Sequence, residues 1–130
     1  MTFLKKILLL DHQPTLSAAL RDALESSGHY LIKEEHDSRL AMNAARWFQP
    51  DLILCDPAMD GVNAGFVREL QKATLCKETP VVFVTRDGSG KSAVVSGGVL
   101  SGYSFLAGPV PLEQIGKYVA ELLNPPAGAA

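Results

Sequence analysis

The segment Pro50-Asp-Leu-Ile-Leu-Cys-Asp56-Pro-Ala-Met-Asp-Gly61 carries the clearest structural signal in this chain. Its centre, Leu52-Ile-Leu-Cys55, is apolar without alternation, which is typical of a strand covered on both faces in a parallel sheet. The acidic residue Asp56 ends this run. The same pattern occurs near the start of the chain, where Ile7-Leu-Leu-Leu10 is followed by Asp11. The sequence therefore predicts two buried strands that each end at an aspartate.

Outward from these two strands, short apolar runs alternate regularly with longer amphipathic ones. Predicted strands cover residues 4–10, 30–33, 51–56, 80–85 and 103–107. One predicted helix begins at Pro14, and a second has Ser38 as its N-cap. Further predicted helices carry Phe66, Val67 and Leu70, span 89–100, and follow Pro111. Five strand-then-helix units require parallel strands joined by crossovers. We therefore predict an α/β fold, a doubly wound five-stranded parallel sheet with five helices.

Composition limits the class of protein. The chain has 130 residues, 47% of them apolar, which suits a single domain; we assign it to residues 1–124, with 125–130 as a tail or the start of a linker. A net charge of −2 argues against a direct nucleic-acid partner. The apolar run 7–10 is too short to cross a membrane. Cys55 and Cys76 form no paired motif, so a reduced, cytoplasmic protein is expected.

Polar residues follow several of the predicted strands. Strand one ends in Asp11-His12, strand three in Asp56, and strand four in Thr85. Ligands of open parallel sheets bind beyond the carboxyl ends of the strands, and two carboxylates at one edge suit Mg²⁺. The alternative is that Asp11 and Asp56 only cap the helices that follow them.

At this point the sequence resembles a known family, the receiver domain of two-component response regulators (CheY-like). The resemblance covers about residues 4–123 and rests on the segments 7–14, 50–61, 80–85 and 105–109. It implies a flavodoxin-like sheet with strand order 2-1-3-4-5. It also implies a role in phosphorelay signalling.

The resemblance implies a role for each matching residue. Asp56 stands at the position of the phosphoacceptor. Asp11, Asp56 and the backbone carbonyl of Ala58 stand where such domains hold Mg²⁺. Thr85 matches the switch hydroxyl, and Phe105 matches the aromatic residue whose rotamer follows it.

Three positions depart from the family pattern. His12 replaces a second acidic residue, and it is a further candidate ligand because imidazole suits transition metals better than Mg²⁺. Gly108 replaces the lysine that contacts the phosphoryl oxygens, so one source of charge stabilisation is lost. Asp60 stands where proline is common. These departures predict impaired or absent phosphorylation.

Two functions remain open at this stage. The first is a phosphoacceptor switch that receives its phosphoryl group from a sensor histidine kinase or a phosphotransfer protein. It would then bind an output domain or protein through the face of the predicted fourth helix, fifth strand and fifth helix. The second is a pseudo-receiver that binds its partner without phosphorylation. Neither is an enzyme beyond slow self-phosphorylation and dephosphorylation at Asp56. Gly88-Ser-Gly-Lys-Ser92 leaves a nucleotide-binding domain as a remote alternative.

Overall fold

Four parallel strands form the part of the sheet that carries the two aspartates. The computed structural model describes residues 4–73, 79–86, 93–100 and 103–123. In it, β1 (Lys5–Leu10) lies between β2 (Tyr30–Glu35) and β3 (Leu52–Cys55), and β4 (Val81–Arg86) pairs with β3. The strand order 2-1-3-4 and the parallel pairing confirm the predicted flavodoxin-like α/β class.

Four α-helices lie in the described part of the chain, and all four were predicted. They are α1 (Pro14–Ser27), α2 (Ser38–Phe48), α3 (Ala64–Ala73) and α4 (Ile115–Leu123), the last preceded by a 3₁₀ turn at Leu112–Gln114. The first begins at Pro14, where the missing N–H costs no helical hydrogen bond. None of these helices is long and apolar enough to cross a membrane.

Alternate residues of β1 supply two separate cores, one on each face of the sheet. Ile7 and Leu9 point to the side covered by α1 and α4, where Leu20 and Ile115 are buried with them. Leu8 and Leu10 point to the other side, which α2 and α3 cover with these buried residues: Ala41, Ala44, Ala45, Phe48, Val67 and Leu70. Because both faces are covered, residues 7–10 of the strand are all apolar and buried, and the strand ends directly before Asp11.

The predicted helix over 89–100 is wrong for its described part, which is a strand. β5 (Ala93–Leu100) pairs antiparallel with β4, from Val81 opposite Val99 to Arg86 opposite Ala93. The residues Val94, Val95 and Val99 are β-branched and favour strands. Gly97 and Gly98 each destabilise a helix by about 1 kcal/mol relative to alanine. This cost opposes the helix that the spacing of the apolar residues had indicated.

The predicted fifth strand becomes the sixth strand of the sheet. β6 (Tyr103–Pro111) pairs antiparallel with β5, so the order is 2-1-3-4-5-6 instead of five parallel strands. In its described residues, the segment predicted as the helix of the partner face is therefore the strand β5. The Gly88–Ser92 motif and the predicted tail 125–130 lie outside the described residues.

The strand conformation of residues 93–100 can be tested by one substitution. Gly97 has a backbone φ of 149°, a value that residues other than glycine rarely adopt. We expect Gly97→Ala to lower the free energy of unfolding by about 1 kcal/mol or more in a denaturant titration. In a helix the same change would raise it by up to about 1 kcal/mol. Gly98→Ala, at a position without a positive φ, is the matched control; stabilisation by both changes would contradict the strand.

Candidate functional site

The register between β1 and β3 places two aspartates side by side. Leu10 pairs with Cys55, and the amide of Asp56 donates to the Leu10 carbonyl at 2.9 Å. Asp11 and Asp56 come directly after these strand residues, at the carboxyl edge of the sheet. Both are buried, with 1% and 5% of their surface exposed. The sequence prediction that these carboxylates converge is therefore met by their positions.

Asp11 is held by local hydrogen bonds and is unfavourably placed as an anion. Its Oδ1 accepts from the backbone amide of Gln13 at 2.8 Å, and its Oδ2 accepts from the Ser17 hydroxyl at 3.3 Å. Burial, the largest cause, raises the pKa of the Asp11 carboxyl. The bond from Gln13 opposes this rise, whereas the charge of Asp56 adds to it. A nearby cation would relieve this cost.

Asp56 uses its two oxygens differently. Oδ1 accepts from the Ala58 amide at 2.9 Å, which fixes the side-chain rotamer within the turn after β3. Oδ2 lies 3.3 Å from Nδ1 of His12, whose side chain is 43% exposed. The helix that follows Asp56 begins only at Ala64. Asp56 therefore caps no helix, and the capping alternative is wrong for this residue.

Asp11, His12 and Asp56 form the one group of potential metal ligands found among the described residues. Each offers one ligand atom, and these atoms lie within 4.8 Å of one another. Two carboxylates would neutralise a divalent cation, so the donor set fits such an ion in charge as well as distance. The carbonyl of Ala58 is a further predicted ligand. Ala58 lies in the turn after β3, two residues after Asp56.

A cavity of about 480 Å³ opens beside His12. Its other walls are the start of α2 and the turn after β3, and its lining includes His36, Asp37, Arg39, Met59 and Asp60. Gly61 allows the turn after β3 to lie close to the start of α2, because a Cβ at this position would lie 2.5 Å from the Ser38 hydroxyl. Gly61 also has φ of 85°. The exposed Asp60 thus lines this cavity and is not part of the buried carboxylate pair.

The remaining predicted residues lie on β4 and β6. Cys55 pairs with Phe83, so half-buried Thr85 lies one register position beyond the residue opposite Asp56. Phe105 and Gly108 lie on β6, two strands away from β4. The side chain of Phe105 is outside the described part of the structure.

Two contacts were missed by the sequence analysis. Ser17 is 3% exposed and reaches Asp11 from α1, and Nδ1 of His36 hydrogen-bonds the Asp11 carbonyl. A serine on the otherwise apolar face of α1 was the available signal for Ser17. No sequence signal identified His36, because its contact depends on the pairing of β2 with β1.

The fold and the paired carboxylates agree with a family comparison. Residues 7–120, which are most of the chain, match the family model of the response regulator receiver domain. The chain belongs to this family and is a receiver domain of two-component signalling.

Individual proteins similar to this chain include one curated relative and several solved structures. Protein PilH of Pseudomonas aeruginosa is 37% identical over 82 residues, which are 62% of this chain and 66% of that protein. The chain thus aligns with about two thirds of the length of PilH.

The solved structures share the fold at low identity. The receiver domain of sensor histidine kinase PA1611 from P. aeruginosa, described with a magnesium ion coordinated in its active-site cleft, has a TM-score of 0.66 at 20% identity. The alignment covers 93% of this chain and 98% of that one. The receiver domain of NtrC4 from Aquifex aeolicus has a TM-score of 0.61 at 19% identity, covering 92% and 98%.

The raised pKa of the buried Asp11 carboxyl makes a prediction about stability. The pKa of Asp11 is raised in the folded protein, so its favourable contribution exists below the unfolded value of 3.8 and is lost as pH rises through the folded pKa. At neutral pH the charged Asp11 carboxylate therefore destabilises the fold, mainly because it is buried. We expect Asp11→Asn to raise the melting temperature by a few degrees in metal-free buffer.

The control is Asp60→Asn, which removes one exposed carboxylate near the same cavity and leaves the buried pair intact. The gain from Asp11→Asn should shrink when divalent cation is added and when the pH is lowered toward 3.8. Equal melting temperatures for wild type and Asp11→Asn in metal-free buffer at neutral pH would contradict this cost of burying the Asp11 carboxylate.

Proposed function

We propose that this receiver domain accepts a phosphoryl group at Asp56, while Asp11 and Asp56 hold a divalent cation such as Mg²⁺. The transfer is slow compared with that of receiver domains that have the lysine of the family pattern. The supporting observation is the buried carboxylate pair with ligand atoms within 4.8 Å, including one from His12. The magnesium ion described in the cleft of the PA1611 receiver domain supports the same kind of site.

In the proposed reaction a carboxylate oxygen of Asp56 attacks the phosphorus of a phosphohistidine. An O–P bond forms while the P–N bond breaks, and the departing imidazole takes up a proton from water. The product is an acyl phosphate. Water later attacks its phosphorus, which releases inorganic phosphate and restores the carboxylate. A bound cation supplies positive charge that offsets the negative charge of the phosphoryl oxygens.

The side chains around Asp56 have distinct tasks in this proposal. The Ala58 amide holds the carboxylate in one rotamer through the 2.9 Å bond to Oδ1. Asp11 is oriented in the same way by the Gln13 amide at 2.8 Å. Thr85 is the hydroxyl at the same edge of the sheet, and we propose that it reports phosphorylation. The lysine of the family pattern is missing, since its position holds Gly108, so the phosphoryl oxygens lack that positive charge and transfer is slow. Because Gly108 lies on β6, which β5 separates from β4, a lysine restored at this position would not return the charge to Asp56.

The proposed partners follow from this chemistry. A sensor histidine kinase or a phosphotransfer protein would donate the phosphoryl group, and an output domain or protein would bind the modified receiver. We place the output surface on β5, β6 and α4, the elements that stand where the predicted face was expected. A cytoplasmic location is part of this proposal.

A pseudo-receiver is the second candidate function, and one contact favours it. His12 lies against Oδ2 of Asp56 at 3.3 Å, so the imidazole partly blocks approach to that oxygen. Under this alternative the unmodified domain binds its partner.

The phosphoacceptor assignment can be tested with a small donor. We expect phosphoramidate with Mg²⁺ to add one phosphoryl group per chain, detected by intact-protein mass spectrometry. Asp56→Asn should abolish the addition because amide oxygen is a poor nucleophile toward phosphorus. Asp60→Asn, four residues away and exposed, should leave it unchanged. Modification of Asp56→Asn at the wild-type rate would place the acceptor elsewhere.

A second prediction concerns the missing lysine. Gly108 lies on β6, separated from β4 by β5, and neighbouring strands are about 4.8 Å apart. We therefore expect Gly108→Lys to leave the rate of phosphorylation within about twofold of wild type, because the ammonium group does not reach Asp56 across two strands. Gly108→Met is the uncharged control of similar length. A rise of about tenfold or more with lysine alone would contradict this strand arrangement.

A further inference from the structure

His12 adds a nitrogen donor at the place where two carboxylate oxygens already meet. It directly follows Asp11 in the chain, and its Nδ1 lies 3.3 Å from Oδ2 of Asp56. The three residues together offer two oxygens and one nitrogen within 4.8 Å. The imidazole is not buried in the core, so its orientation toward Asp56 is not forced by packing around the ring.

The chemistry of this donor set differs from that of an all-oxygen site. Mg²⁺ binds oxygen ligands and retains several waters. Imidazole suits Zn²⁺ and other first-row transition ions. Asp11 and Asp56 already balance the charge of a divalent ion. A neutral His12 thus adds a ligand without adding charge, and it favours the ions that accept nitrogen.

The distance between two of the donor atoms is compatible with a shared ion. Two ligands about 2.1 Å from Zn²⁺ at a tetrahedral angle are about 3.4 Å apart. Two ligands at the same distance from Mg²⁺ at a right angle are about 3.0 Å apart. The separation of 3.3 Å between His12 Nδ1 and Asp56 Oδ2 lies between these two values, so these two atoms can bind one ion in either geometry, and the preference for a transition ion comes from the nitrogen donor.

Hydrogen bonds outside the donor set hold the carboxylates in place. The Ala58 amide occupies Oδ1 of Asp56, and the Gln13 amide occupies Oδ1 of Asp11. Both Oδ2 atoms are thereby directed away from these backbone bonds, one toward His12 and one toward Ser17. Such outer contacts fix ligand orientation and change metal affinity about 10–100-fold when they are lost.

We infer that Asp11, His12 and Asp56 form a mixed nitrogen–oxygen site that selects a transition ion such as Zn²⁺ over Mg²⁺ more strongly than the carboxylates alone would. The inference rests on the proposed function, since it names the cation class of the same site. Three protein ligands leave a tetrahedral ion one open position, which a phosphoryl oxygen or water would take.

Direct binding measurements on the metal-free chain test this selectivity. Cys76→Ser serves as the parent in order to remove one zinc-binding thiol, and Cys55 stays because it is buried. Dissociation constants for Mg²⁺ and Zn²⁺ are measured by calorimetry, and the visible absorption of Co²⁺ reports on the coordination geometry. The parent is compared with His12→Ala, His12→Asp and Asp56→Asn. The control is His29→Ala, because this exposed histidine precedes β2 at the opposite edge of the sheet.

We expect His12→Ala to weaken Zn²⁺ binding by about 10–100-fold and to leave Mg²⁺ binding within about threefold. His12→Asp should tighten Mg²⁺ binding and lower the ratio of Zn²⁺ to Mg²⁺ affinity by about tenfold or more. The tetrahedral Co²⁺ absorption should disappear in His12→Ala and persist in His29→Ala.

Two failures can be told apart. If His12→Ala leaves Zn²⁺ affinity unchanged while Asp56→Asn weakens both ions, the carboxylate site stands and the role of His12 is overturned. If Asp56→Asn changes the affinity for neither ion, the cation does not bind at the proposed phosphoacceptor, and both proposals fail. Circular dichroism of each variant establishes that the fold is retained.

Discussion

The pairing of Leu10 with Cys55 is the constraint on which the site depends. Because β1 and β3 are parallel neighbours in this register, the next residue of each strand must lie at the same edge of the sheet. Those residues are Asp11 and Asp56, both buried. Two adjacent buried carboxylates are electrostatically costly. The register that joins the two strands therefore also brings the carboxylates together, so the site depends directly on the sheet.

Much of this arrangement could be predicted from the sequence because it follows from continuous apolar strands. The runs before Asp11 and Asp56 indicated central parallel strands, and the ends of such strands form one edge. The segment 93–100 was predicted incorrectly because its spacing suited a helix while its β-branched residues and glycines favoured a strand. Tertiary pairing with β4 decided between them. Strand propensity depends strongly on such pairing, so a local pattern alone does not determine it.

Two side-chain contacts at the site could not be predicted from the sequence, for a physical reason. His12 was recognised as a departure, but its 3.3 Å approach to Asp56 depends on the backbone path after β1. The bond from Ser17 depends on how α1 sits above the same strand. Each contact joins side chains from different elements. Residue type and spacing show which groups are available, whereas strand register and loop conformation determine which of them come into contact.

The most direct test of this account is an amide NMR titration with Mg²⁺, followed by Mg²⁺ with beryllofluoride. Beryllofluoride mimics an acyl phosphate and does not hydrolyse, so rapid dephosphorylation cannot hide a competent site. The account predicts saturable shifts around Asp11 and Asp56 with Mg²⁺ alone, and further shifts that reach Thr85 when beryllofluoride is added. An unchanged spectrum with both reagents at millimolar concentration would contradict a phosphoacceptor site and leave the carboxylate pair without the proposed role.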